Sequence, residues 1–227
     1  MHQFRSRDLN APLLGESARP DPTRGNVLNF ESTALSRSQV LSLTVRQRFS
    51  IFNLNATYSH YSQYNDGGWF FGTPSDNYNL RSDWGRTETP THQFNSTVNA
   101  KLFMGVFLTS TVVANSGDHY NITTGNDDNL DSNINDRPPG TPRNSGDAPR
   151  FLTFNFNISK AFFIGGGSSN GGAGSSRANM NLFANMNNAF NRTNYGTPSG
   201  IMTSPFFGQP YSARNAREIE VGLRFQL

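Results

Sequence analysis

The chain has 227 residues, of which 34% are hydrophobic and 15% are charged, and its formal net charge is +3. Soluble globular domains average about 45–50% apolar and about 25% charged residues, so this chain has too little apolar surface for a large water-excluding core. The sequence has no cysteine, which excludes disulfides and thiolate metal sites, and no run approaches the roughly 18 apolar residues of a membrane helix.

In place of the missing apolar and charged residues the chain has many small or uncharged polar ones, because Asn, Ser, Thr and Gly together account for 91 positions. The 28 aromatic residues are nevertheless too many for a disordered polar chain. The basic residues are scattered without runs, so no basic stripe indicates nucleic-acid binding.

Strict alternation of apolar and polar residues predicts β-strands that are apolar on one face. In the last eleven residues, Ile219 and Val221 fall on one face, whereas Glu218 and Glu220 fall on the other. The same pattern recurs along the chain, although the two faces of residues 106–116 are ambiguous. The predicted strands are residues 39–49, 52–64, 93–103, 106–116, 151–162, 178–190 and 217–227, with an eighth near 26–33.

The predicted strands are about twice as long as the 5–6 residues common in globular proteins, and they match the 9–11 residues that cross a bilayer at a tilt. Their connections alternate in length. The short connections are 50–51, 104–105 and the Gly/Ser run 163–177, and the long ones are 65–91, 117–149 and 191–216. Short periplasmic turns and long extracellular loops are typical of outer-membrane β-barrels.

Aromatic residues are expected at both ends of these strands, as in the two girdles of a membrane barrel. The short-turn group is Phe49, Phe52, Phe103, Phe162, Phe163 and Phe225, and the long-loop group is Tyr58, Tyr61, Tyr64, Tyr120, Phe190 and Tyr195. The polar face is built from Asn, Thr, Ser and Gln rather than Lys and Glu, which suits a water-filled or plugged lumen. The alternative is a soluble all-β domain whose apolar faces meet in a core.

Three segments carry a resemblance to a known family: residues 73–94 (TPSDNYNLRSDWGRTETPTHQF), 120–145 (YNITTGNDDNLDSNINDRPPGTPRNS) and 183–200 (FANMNNAFNRTNYGTPSG). They resemble the C-terminal barrel of TonB-dependent outer-membrane receptors and are most similar to the Oar-like group, whose barrel follows a carboxypeptidase-regulatory-like domain and a plug. Residues 212–227 resemble that group's terminal loop and strand. Residues 2–16 resemble an extracellular loop that precedes a barrel strand.

The resemblance implies an all-β fold, an antiparallel transmembrane β-barrel segment, with residues 1–227 forming the C-terminal part of an outer-membrane β-barrel domain. The family's signal peptide, TonB-contacting box, plug and most of its roughly twenty-two strands are missing from the sequence. Seven or eight strands alone would leave two open edges in the membrane, so we expect a fragment of a longer protein. Leu227 stands where the family usually has an aromatic residue that the barrel assembly machinery reads.

The acidic segment 127–136 is the best candidate for an ion site. Asp127, Asn129 and Asp131 have the 1, 3, 5 spacing with which oxygen ligands surround calcium, and Asp136 closes the segment. Ser132 replaces the glycine of an EF-hand, and Pro138 stands where its bidentate glutamate belongs. A true EF-hand is therefore excluded, and a looser calcium loop competes with Asn/Asp-rich turns whose side chains bond their own backbone.

The remaining residues supply no catalytic set, so we expect no enzymatic activity. His2, His60, His92 and His119 are isolated in the sequence, and the glycines of 165–172 lack the context of a phosphate loop. Glu218, Glu220 and Arg224 share the predicted lumen face of the last strand. We expect them to pair with neighbouring strands or, in the intact protein, to face the plug.

The sequence thus predicts a non-enzymatic outer-membrane receptor that binds or imports an unidentified substrate. By resemblance, its partners are outer-membrane lipid, the plug domain and, through the missing N-terminal part, TonB. No cofactor is expected apart from the weak calcium site. The alternatives are an adhesin-like or structural surface barrel without active transport, and a secreted soluble β-protein.

Overall fold

The computed structural model describes residues 2–13, 15–67, 72–164 and 178–226. The strands are β1 (His2–Asp8), β2 (Leu28–Arg48), β3 (Phe52–Asn65), β4 (Gly85–Arg86), β5 (His92–Lys101), β6 (Val106–Asn115), β7 (His119–Tyr120), β8 (Gly146–Asp147), β9 (Phe151–Ile164), β10 (Ala178–Asn187) and β11 (Glu218–Gln226). Two short 3-10 helices lie at Leu80–Asp83 and Phe103–Gly105. None of the helices in these ranges is long and apolar enough to cross a membrane.

The long strands form one antiparallel sheet in the order β1-β2-β3-β5-β6-β9-β10-β11. The short β4 pairs with the end of β3, and β7 pairs with β8 in a separate two-stranded sheet. Consecutive long strands are neighbours throughout, so the sheet is an up-and-down meander. The predicted all-β fold is confirmed. Within the described ranges the sheet is open, because β1 and β11 do not pair with each other.

Two sequence predictions about the start of the chain are wrong. The eighth strand predicted near 26–33 is not separate from the strand predicted over 39–49, because residues 28–33 and 39–48 both belong to the 21-residue β2. Residues 2–8 form β1 rather than a loop, and β1 pairs with the first part of β2 from His2↔Leu35 to Asp8↔Leu28. The register shifts by one residue between Gln3 and Arg5. Phe4 is the one apolar residue of β1, so its sequence shows no alternation of apolar and polar residues from which a strand could be recognised.

The register across the sheet unites the apolar residues on one face. In β10 and β11, Leu182 lies opposite Leu223, and Ala184 lies opposite Val221. The apolar face of β9 joins this pattern through Ile158, which pairs with Ala184. Pairing also resolves the ambiguous strand β6, in which Val106, Leu108, Ser110, Val112 and Ala114 belong to the apolar face.

The opposite face carries cross-strand ladders of polar side chains. Ser42 and Ser59 form a hydrogen bond of 3.0 Å, as do Thr44 and Thr57. Thr109 Oγ1 donates to Asn99 Oδ1 at 2.8 Å. Such pairs satisfy polar side chains within the sheet and help to fix its register.

The apolar face has no covering layer in the described structure. Among all described residues, the only buried hydrophobic ones are Ala11, Ala34 and Ala148, and all three lie outside the centre of the sheet. Leu43 is 58% exposed and Val221 is 68% exposed. The core expected of a soluble β-sandwich, in which two apolar faces meet, is therefore not formed by these residues.

The connections follow the predicted alternation. Residues 49–51 and 102–105 link β2 to β3 and β5 to β6 by tight turns, and Met104 and Gly105 both have positive φ. Long connections between β3 and β5, β6 and β9, and β10 and β11 leave from the other end, joined by the segment 9–27 between β1 and β2. The predicted turn over 163–177 falls largely outside the described residues.

Candidate functional site: a cavity among the long loops

The long connections pack against one another through buried polar side chains. Asp8, at the end of β1, accepts hydrogen bonds from the backbone N–H groups of Asn10 and Val27 at 2.9 and 2.7 Å. Arg19 donates to Asp8 Oδ2 at 2.8 Å and to the carbonyl of Asp131 at 3.1 Å. Burial opposes the ionisation of Asp8, but these donors and the charge of Arg19 outweigh it and lower the pKa of Asp8.

Asn77 extends this network to a third loop. Its Oδ1 accepts from the backbone N–H of Asp8 at 2.8 Å, and its Nδ2 donates to Asp131 Oδ2 at 2.9 Å. The segments 9–27, 72–84 and 124–140 are therefore tied together by three side chains of low exposure, Asp8, Asn77 and Asp131. Because their polar atoms are paired, these side chains hold the loops in one arrangement.

A second junction joins two of these loops, the segments 72–84 and 124–140. Arg137 forms an ion pair of 2.7 Å with Asp83, and both side chains are almost wholly buried. Asp83 also accepts from the backbone N–H and the hydroxyl of Ser75, at 3.0 and 2.7 Å. Asn129 Nδ2 donates to the carbonyl of Ser75 at 2.9 Å. The acidic segment 127–136 is thereby fixed against the loop that follows β3.

At the base of the loops, a buried ion pair anchors β1 to the end of β3. Arg5 and Asp66 are separated by 3.0 Å, and their side chains are 2% and 0% exposed. Asp66 also accepts from the backbone N–H of Leu35 and pairs with Arg81. Removing one partner of such a pair leaves a buried charge uncompensated, which typically costs about 3–5 kcal/mol.

Between these junctions the three loops enclose a cavity of about 650 Å³. This volume lies within the range of about 300–1,000 Å³ typical of small-molecule sites. Its wall combines apolar surface from Pro12, Tyr78 and Leu130 with the acidic residues Asp128 and Asp136. We refer to it below as the loop cavity.

The acidic segment is folded by its own side chains. Asp127 accepts from the backbone N–H groups of Asp131 and Ser132 at 3.0 and 2.9 Å. Asp131 accepts from the backbone N–H of Asn133 at 2.8 Å, and Asp136 accepts from that of Asp128 at 2.8 Å. These are the Asx-type turns that the sequence offered as the alternative to an ion site.

Burial and neighbouring carboxylates change the acidity of this segment. Burial is the main cause that raises the pKa of Asp131, and the nearby Asp127 adds to it. The pKa of Asp136 is raised mainly by burial, and the charges of Asp131 and Asp128 contribute. These carboxyl groups therefore ionise at a free-energy cost that a nearby positive charge would reduce.

Asn129, Asp131 and Asp136 of the predicted calcium set line the loop cavity, whereas Asp127 bonds the backbone beside it. Among the described residues, no group of three or more His, Cys, Asp or Glu side chains is arranged to hold a metal ion. Calcium binding stays a prediction. Two arginines contact this segment without pairing with its carboxylates. Arg137 pairs with Asp83 of another loop, and Arg19 donates to the backbone carbonyl of Asp131.

In β11, Glu218, Glu220 and Arg224 lie on the polar face, opposite Asn187, Asn185 and Asn181 of β10. Glu220 accepts from Asn185 Nδ2 at 2.8 Å, so the expected pairing with a neighbouring strand occurs there. Asn185 in turn accepts from Asn157 of β9. A contact with a plug stays a prediction.

His60, His92 and His119 are isolated in the sequence, but the fold gives each of them a close partner. His60 and His92 are directly opposite each other in β3 and β5, with ring centroids 5.1 Å apart, and His92 Nδ1 lies 2.8 Å from the hydroxyl of Tyr58. Spacing in the sequence did not reveal this pair, because it depends on the register of two strands.

His119 also has close polar partners. Its Nδ1 lies 2.6 Å from Asp147 Oδ1, and its Nε2 lies 2.9 Å from Thr91 Oγ1. Arg86 pairs with the same carboxylate at 3.0 Å. A hydroxyl, an imidazole and a carboxylate in line are the arrangement of a nucleophile and its base. Here the carboxylate is the exposed member and the imidazole is buried, which is the reverse of a catalytic relay. The contacts instead join Thr91, directly before β5, to His119 of β7 and Asp147 of β8.

Comparison of the chain with protein-family models, with curated proteins and with solved structures found no match.

The sequence identified the acidic segment but not its partners. Asn77 and Asp83 lie in SDNYNLRSD, and their only local signal is the density of Asn and Asp. Arg19 stands in an unpatterned segment. The contacts that build the loop cavity join residues up to 113 positions apart, and no local pattern encodes them.

Proposed function

We propose that this chain forms part of the β-barrel of a TonB-dependent outer-membrane receptor, a non-enzymatic protein that binds or imports a substrate. The observation that carries the proposal is the uncovered apolar face, which extends across the long strands and is exposed along β2 and β11. A continuous apolar surface of this kind is unfavourable in water and is compatible with contact to lipid.

The dimensions of the strands support the same proposal. β5, β6 and β10 each have 10 residues, which corresponds to about 33 Å at about 3.3 Å per residue. At a tilt of about 45° such a strand rises about 23 Å, close to the ~25 Å apolar band of outer-membrane barrels. The polar face, with its Ser, Thr and Asn ladders, then lines the lumen.

Aromatic side chains lie near both ends of the strands. Phe103, in the turn between β5 and β6, is 80% exposed. At the loop end, Phe190 packs against Phe154 with ring centroids 4.9 Å apart and is 67% exposed. Exposed aromatic side chains at two levels fit the two interfaces of a bilayer.

The open edges of the sheet require further strands if it is to cross a membrane. The outer side of β2 beyond residue 36 has no partner strand among those described, and β11 pairs only with β10. Unpaired backbone groups are not tolerated in hydrocarbon, so we propose that other strands of a longer protein close the barrel.

Fractionation of cells that express the full-length protein tests the membrane part of the proposal. We expect the protein in the outer-membrane fraction, extracted only by detergent and with heat-dependent migration on a gel. Release into buffer without detergent would refute it in favour of the soluble β-protein.

A second assay tests energy coupling. The purified full-length receptor should bind the periplasmic domain of TonB in a pull-down. If the protein inserts into the outer membrane but does not bind this domain, the surface-barrel alternative replaces the receptor.

A further inference from the structure

We propose that the loop cavity binds an organic cation, that is, a ligand with an ammonium or guanidinium group attached to an apolar body. The proposal rests on the proposed function insofar as it names the class of substrate that the receptor would take. The cavity and its charges are nevertheless properties of the loops, and they can be tested separately.

The charge of the wall is the first reason. Five carboxylates line the cavity, those of Glu16, Asp76, Asp128, Asp131 and Asp136, and among the described residues of the wall Arg137 is the only one with a cationic side chain. The guanidinium of Arg137 is already paired with Asp83 at 2.7 Å. The chain as a whole is positively charged, so this negative concentration is a local feature, and a cleft lined by one sign of charge attracts ligands of the other.

Two of the carboxylates are not used by the fold. Within the described residues, Glu16 and Asp128 accept no hydrogen bond through their carboxylates and form no ion pair. Asp76, by contrast, accepts from the backbone N–H groups of Tyr78 and Asn79. Glu16 and Asp128 lie on different loops, in the segments 9–27 and 124–140, and both are exposed at the cavity.

The apolar part of the wall is the second reason. Tyr78 is held in place because its hydroxyl donates to the carbonyl of Ala11 at 2.6 Å, yet the residue remains 50% exposed. Leu130 is 48% exposed, and Pro12 and Pro139 complete the apolar lining. A fixed aromatic ring beside carboxylates suits a cation that carries apolar groups, because the ring face also attracts positive charge.

The acidity of the wall agrees with this assignment. Burial raises the pKa values of Asp131 and Asp136, and a cation that binds nearby favours their ionised forms. Binding should therefore weaken as the pH falls through the raised pKa values, because the carboxylates become neutral. A neutral ligand would not show this dependence.

Calorimetry with the full-length protein in detergent provides the test. The probes are phenylalanyl-arginine amide, which is cationic, and acetyl-phenylalanyl-glutamine amide, which has a similar apolar body and no charge. We expect the cationic probe to bind at least about tenfold more tightly, and its affinity to fall with added salt.

The variants separate the role of the cavity from unspecific charge effects. Glu16→Gln combined with Asp128→Asn should weaken the cationic probe by about tenfold or more, since each lost carboxylate removes attraction without breaking a structural contact. Glu88→Gln removes an exposed carboxylate that does not line the loop cavity and should leave binding unchanged.

Equal affinity for both probes, an unchanged affinity of the double variant, or binding of calcium alone would overturn the proposal. These outcomes differ from failure of the proposed function. If the protein inserts into the outer membrane but does not prefer the cationic probe, only the inference about the cavity is refuted. If the protein prefers the cationic probe but is extracted by buffer alone, the inference about the cavity stands and the proposed receptor function is refuted.

Discussion

Placing an arginine on each face of β6 tests which face contacts lipid. Val112 lies on the apolar face, opposite Ser96 and Phe154, whereas the adjacent Thr111 lies on the polar face, opposite Thr97 and Asn155. β6 is an interior strand of the sheet, so neither position is at an edge. Leu182 would be less suitable, because it lies opposite Lys160 and an arginine there would add repulsion between like charges.

The loss of stability expected for Val112→Arg follows from the depth of Val112 in the bilayer. The residue stands within two positions of the middle of a 10-residue strand, hence about 5 Å from the centre at about 3.3 Å per residue. An arginine facing lipid near the midplane costs about 2–4 kcal/mol of barrel stability. This corresponds to a loss of about 30-fold to 1,000-fold in the folding equilibrium constant. Thr111→Arg should change stability by less than about 1 kcal/mol, since the polar face contacts water or polar groups.

Denaturant titration of the full-length protein in lipid bilayers measures both free energies of unfolding. The two variants differ by one position, so strand propensity and depth are almost the same. Equal losses for Val112→Arg and Thr111→Arg, or a larger loss for Thr111→Arg, would refute the assignment of the apolar face to lipid.

Three further predictions concern the loops, the acidity of one junction and the polar face. A cysteine at the exposed Asn126 should react with an impermeant thiol reagent on intact cells, whereas one at Ser50, in the β2–β3 turn, should not; the opposite result would invert the topology. The lowered pKa of Asp8 means that its ionised form stabilises the folded loops above the pKa of the unfolded chain, and that this stabilisation is lost as the pH falls through the folded pKa. Proteolysis of segment 9–27 should therefore increase in acid, and Asp8→Asn should abolish that pH dependence; a profile identical to that of the parent would exclude Asp8 as the cause. Gly222→Val should cost about 1–3 kcal/mol, because a Cβ there would lie 2.5 Å from Phe183 Cζ, whereas Gly25→Ala has nothing within 4 Å and serves as the control in denaturant titration. A Gly222→Val variant as stable as the control would show that Phe183 rotates away freely.

Local alternation was sufficient to predict the seven long strands and, except in residues 106–116, the face on which their apolar residues lie. Side chains of a strand point alternately to its two faces, so a pattern such as that of residues 219–225 needs no knowledge of the neighbouring strand. The density of Asn and Asp in 127–136 likewise indicated, as the alternative to a calcium loop, turns that bond their own backbone, since the contacts of Asp127 and Asn129 span only two to five residues.

Tertiary structure alone determined the rest. β1 was missed because all its residues except Phe4 are polar, and β2 is long because its two parts pair with different partners, β1 and β3. The pair His60–His92 and the loop cavity depend on residues far apart in the chain, such as Asn77 and Asp131. Contacts of this kind are fixed by strand register and by the packing of loops, and neither is written in the periodicity of a single segment.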